Sequence, residues 1–67
     1  MSGAAPKDLL GRPMSAAEQR ILDAYRGLLA LLREDLPPNA DANVREAAAA
    51  MWQVVNDLAL VDDRPEL

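Results

Sequence analysis

The side chains of this sequence that could do chemistry are carboxylates. Glu18, Asp23, Glu34, Asp35, Asp41, Glu46 and Asp57 are spread through the middle of the chain. Carboxylates serve general acid–base transfer when a fold positions one and tunes its pKa. They also bridge metals in helical bundles, where inward-facing Glu residues combine with Glu-x-x-His. The chain has no His and no Cys. That removes the commonest general base and metal ligand, the Ser–His and Cys–His nucleophile pairs, and thiolate sites and disulfides. Glu34 and Asp35 are consecutive, so on a helix they point about 100° apart and converge on nothing. Phosphate cradles need Gly-rich loops, whereas Gly11 and Gly27 stand alone. The expectation is therefore no enzyme, no cofactor and no metal site, with the acids forming a solvated face.

Charge and hydropathy narrow the remaining classes. Eleven acids against seven bases give a net charge of −4. The cations Lys7, Arg12, Arg20, Arg26, Arg33, Arg45 and Arg64 are scattered and interleaved with acids. A phosphate backbone is read by clustered Lys and Arg, so nucleic acid is not an expected partner. No apolar run approaches the roughly 20 residues that span a bilayer, and residues 1–13 hold no signal-like apolar core. The expectation is a cytoplasmic protein with no membrane partner. A single Lys among many Arg, Ala, Asp and Leu residues reads as GC-rich coding.

The elements follow from punctuation and periodicity. Gly3, Pro6, Gly11 and Pro13 predict a flexible N-terminal tail over residues 1–14, with Leu9 and Leu10 as its one apolar feature and a possible docking motif. Ser15-Ala16-Ala17-Glu18 is a capping box, and it opens a helix expected over residues 15–36. Leu22, Tyr25, Leu29, Leu32 and Leu36 follow at spacings of 3, 4, 3 and 4, a heptad stripe. Ile21, Leu28 and Leu31 widen that stripe beyond a two-stranded seam. Asp23 and Arg26 have the spacing of a weak ion pair. Pro37 stops the helix. A second helix, expected over residues 40–61, has candidate caps in Asn39, Asp41 and Asn43, the last in a box with Glu46. Its stripe is Val44, Ala48, Met51, Val55 and Leu58, flanked by Ala47, Trp52, Val54 and Val61. Leu60 is expected on its outer face. Gly27, on the polar face of the first helix, is either tolerated or marks a close crossing. Residues 62–67, charged and holding Pro65, are expected to form a flexible C-terminal tail.

The fold class expected is all-α: an antiparallel helix–loop–helix hairpin over residues 15–61. A chain this short buries little surface and needs a staple. With disulfides and metals set aside, oligomerisation remains, most simply as a homodimer stacking two hairpins into a four-helix bundle; a larger protein partner would serve equally. The residues expected to pack at helix faces are Leu22, Tyr25, Leu28, Leu29, Leu32, Val44, Ala48, Met51, Trp52, Val55 and Leu58. Trp52 and Tyr25 suit either bundle packing or an interface anchor. Function is expected to be that of a small non-catalytic interaction module or accessory subunit. Two alternatives are a regulator of antitoxin or anti-factor type whose tail folds on its target, and a small-molecule binder with a pocket at the dimer core.

Overall fold

In the computed structural model, residues 6–62 and 64–67 are described. Two helices, α1 (Ala16–Leu31) and α2 (Pro38–Asp57), pack against each other as a hairpin, and no strand occurs among the described residues. Helix α1 begins where the capping box places it. The Glu18 N–H donates to Ser15 Oγ at 3.0 Å, and the Ser15 N–H donates to Glu18 Oε1 at 2.8 Å. Two of the orphan donors of the first turn are satisfied in this way.

Helix α1 ends at Leu31, five residues before the expected end at Leu36. The Arg33 N–H donates to the Ala30 carbonyl at 3.1 Å, and the Glu34 N–H to the Leu31 carbonyl at 3.0 Å. These are three-residue steps, so the helix tightens into 3₁₀ geometry before it stops. Glu34 and Asp35 supply negative charge where the helix dipole disfavours it. Helix α2 starts at Pro38, two residues before the expected start, with Pro37 in the capping position and no side-chain cap. A proline at the first helical position has no N–H to satisfy and a φ already suited to the helix. Asn39, Asp41 and Asn43 thus lie inside α2. Asp41 sits in the first turn, where an anion is favoured, and accepts from Arg45 Nε at 2.8 Å.

The far end of α2 departs furthest from expectation. The helix ends at Asp57, with Leu58 as its cap and Ala59 at φ +57°. The Ala59 N–H donates to the Asn56 carbonyl at 3.0 Å, and the Leu60 N–H to the Val55 carbonyl at 2.8 Å. This pair of bonds is a Schellman motif. The reversal folds Leu60 back under the helix. Leu60 is therefore buried in the core and not on the outer face. Leu22 and Tyr25 of α1, Val55 of α2 and Leu60 form that core. Met14, Ile21, Leu29, Met51, Trp52, Leu58 and Val61 pack around it, partly buried. Ala48 has no exposed surface. Gly27 is exposed, and a Cβ built on it meets nothing within 4 Å, so no second backbone crosses there.

Candidate functional site

The heptad stripes face one another, and that decides what remains for a partner. Of the eleven residues expected at helix faces, Leu22, Tyr25, Ala48 and Val55 are buried within the protomer. Leu29, Met51, Trp52 and Leu58 pack half-buried against that core, and Leu28, Leu32 and Val44 are half-buried as well. The stripes close the hairpin upon itself, so a second protein would meet the residues that flank them.

Residues 6–14, expected as a flexible tail, instead fold into a closed turn. Asp8 and Arg12 bracket the three-residue loop Leu9-Leu10-Gly11. The Asp8 N–H donates to the Arg12 carbonyl at 2.8 Å, and the Gly11 N–H to the Asp8 carbonyl at 3.0 Å. Gly11 sits at φ +82°, the left-handed position that such a loop assigns to glycine. The Asp8 carboxylate locks the loop from inside. Its Oδ1 accepts from the backbone N–H groups of Leu10 and Arg12, each at 2.9 Å, and its Oδ2 accepts from Arg12 Nε at 3.0 Å. Asp8 is buried. Its carboxyl is held below the ordinary value mainly by the Arg12 N–H. Burial pushes the other way, and the Arg12 guanidinium and the Leu10 N–H reinforce the lowering. The Lys7–Pro13 bridge and the Met14 N–H, which donates to the Pro6 carbonyl at 2.9 Å, extend the closure.

This hairpin is fastened to the reversed end of α2 by the Leu9 N–H, which donates to the Ala59 carbonyl at 2.7 Å. Met14, which joins the turn to α1, packs against the core, so the turn lies between the reversed end of α2 and the start of α1. At the tip, Leu9 is 53% exposed and Leu10 68%. The part expected at residues 1–5 lies outside the described residues. Asp8 was not among the carboxylates singled out by sequence, although Asp followed by Gly three residues later is a turn signal.

The C-terminal residues 64–67 lie along the hairpin. Arg64 stacks over the Trp52 ring at 5.7 Å from its centroid. Open clefts of about 310, 350 and 240 Å³ separate this segment from the helices. Trp52 lines the first, Arg33 and Arg45 the second, and Tyr25 and Arg26 the third. One side of the hairpin is thereby identified as the side that residues 64–67 occupy.

The opposite side follows from helical geometry at about 100° per residue. On α1 the seam points along Leu22, Tyr25 and Leu29. Arg26 and Arg33 lie to one side of it; Ala17, Ala24, Leu28 and Leu31 lie to the other. On α2 the seam points along Ala48 and Val55. Trp52 and Arg45 lie to one side; Ala47, Ala50 and Val54 lie to the other. Arg26, Arg33, Arg45 and Trp52 share the side of residues 64–67, so the remaining sets share the side that residues 64–67 leave bare. Leu31 and Val54 are each 38% exposed there, the four alanines are exposed, and Leu28 is half-buried.

The acids do not converge. Asp23, Glu34, Asp35, Glu46 and Asp57 are exposed, while Glu18 and Asp41 serve the helix starts. Among the described residues the ion pairs are Arg12–Asp8 and Arg45–Asp41, not Asp23 with Arg26. No group of three or more acids there could hold a metal, and no helix there is long and apolar enough to cross a membrane. Comparison with protein-family models, with curated proteins and with solved structures finds no match to this chain.

Proposed function

We propose that the chain is a small, non-catalytic protein–protein interaction module of the cytoplasm that acts through an oligomeric helical bundle. The observation that carries this reading is the bare side of the hairpin. A two-helix layer whose own core is complete still presents Leu31, Val54 and Leu28 beside a run of alanines. The Leu9–Leu10 tip adds a second apolar feature on a braced loop. Apolar patches of this kind on small proteins mark contact sites.

Two observations weigh against the alternatives. A regulator whose tail folds on its target needs an unfolded tail, and residues 6–14 are already tied to Ala59. A small-molecule site encloses most of its ligand, and within one protomer the clefts beside Trp52 and Tyr25 are only partly enclosed. The test is the concentration dependence of the thermal midpoint, followed by circular dichroism. Association links stability to mass action, so the midpoint rises with each tenfold increase in protein concentration. A midpoint that stays fixed over about three decades of concentration would contradict self-association.

A further inference from the structure

We infer that the bare side of the hairpin, built from Ala24, Leu28, Leu31, Ala47, Ala50 and Val54, is the face on which a second copy of this chain docks. The inference rests on the interaction-module reading and names its surface and its occupant. Three features of the face select a second copy. The first is charge. A two-fold contact sets α1 of one copy against α2 of the other, so a charge in the middle of the face would be buried without a partner. This chain carries −4 overall, yet the strip between Leu31 and Ile21 on α1 and between Ala50 and Met51 on α2 holds no charged side chain. The face is neutral on a molecule that is not.

The second feature is extent. Helices of 16 and 20 residues are about 24 and 30 Å long, and two of them side by side are about 20 Å wide. The face therefore offers on the order of 500 Å² from each copy and 1,000 Å² in all, which reaches the threshold for a specific interface. The third is the rim. Arg20 lies on the outer flank of α1, and Glu46 and Asp57 lie on the outer flank of α2. A two-fold axis along the helices stacks α1 of one copy over α2 of the other, with the two chains antiparallel there. Each Arg20 then lies beside the acidic flank of the second copy, and the exposed alanines let the layers approach closely. The other side of the hairpin already carries residues 64–67.

The experiment places one positive charge on either side of α2. Val54→Lys puts it on the proposed face, and Gln53→Lys puts it about 100° away on the opposite side. Each variant is weighed by light scattering across a dilution series, with circular dichroism confirming the helices. Burying an unpaired ammonium is costly, so Val54→Lys shifts the dimer-to-monomer midpoint upward by about tenfold or more, while Gln53→Lys leaves it in place. Leu31→Glu, on α1 and equally exposed in the protomer, sets a like charge against the acidic flank of the second copy and repeats the test without touching α2. A wild-type dimer that neither Val54→Lys nor Leu31→Glu weakens overturns this face and leaves the interaction-module reading standing. A wild-type protein that is monomeric throughout overturns self-docking at its root.

Discussion

Replacing Ala59 with glycine should make the protein more stable, although it removes a methyl group. Ala59 adopts φ +57° at the end of α2. For an L-residue the left-handed region costs about 1–2 kcal/mol, because Cβ crowds the following carbonyl. Glycine escapes that cost but gives the unfolded chain more freedom, which opposes the gain by about 0.4–1 kcal/mol. Ala59 is only half-buried, so the lost methyl subtracts no more than a few tenths of a kcal/mol. The net gain is about 0.5 kcal/mol, and for a chain of this size the melting midpoint rises by about 2–4 °C. The assay is thermal unfolding by circular dichroism at one fixed protein concentration, since self-association would otherwise move the midpoint. Ala59→Val is the converse, because a β-branched residue fits positive φ poorly, and it should lower the midpoint. A glycine variant that melts lower than wild type would refute the left-handed reversal. With it would go the account of how Leu60 reaches the core and how the Ala59 carbonyl comes to hold the Leu9 hairpin.

Other consequences are as open to measurement. Ser15→Ala removes the acceptor for the Glu18 N–H and should cost about 1 kcal/mol; an unchanged midpoint would mean that the capping box contributes nothing in solution. Gly27→Ala adds a Cβ into open space on an exposed turn of α1 and should stabilise by up to about 1 kcal/mol, whereas a loss would reveal a neighbour pressed against that position. Asp8 has its folded-state pKa lowered, so its stabilising contribution is fully present above the unfolded value of about 4 and is lost as pH falls through the folded value. Asp8→Asn keeps one acceptor oxygen but cannot titrate. The midpoint gap between wild type and Asp8→Asn should therefore narrow as pH is lowered from about 6 to about 2. A gap that stays constant over that range would show that the Asp8 charge does not hold the turn.

These features differ in how far they could be read from residue order. Short-range patterns with a stereochemical cause were legible: the Ser15–Glu18 box starts α1, Pro37 keeps the two helices apart, and the two stripes meet at Leu22, Tyr25, Ala48 and Val55. Boundaries governed by competing small terms were not. At the end of α1, periodicity continues to Leu36 while Glu34 and Asp35 oppose the dipole, and the dipole with the coming prolines wins. At the end of α2 the usual marker of a reversal, glycine, is absent, and Ala59 fills a position that alanine seldom takes. The spacing that points Leu60 outward assumes a helix that has already ended at Asp57. The Asp8 loop was hidden by composition, because glycines and prolines also mark disorder. What distinguishes it is one carboxylate satisfying three donors at once. The bare side of the hairpin emerges only in three dimensions, once the stripes have been spent on each other and residues 64–67 on the far groove.

The central claim is that this hairpin, its own core already closed, associates through its remaining apolar face, and the absolute mass of the wild-type protein in solution tests it most directly. Light scattering across a dilution series should give a mass near twice 7.3 kDa, falling toward the single-chain value only at high dilution. A mass of 7.3 kDa at every concentration, with helicity undiminished, would contradict it.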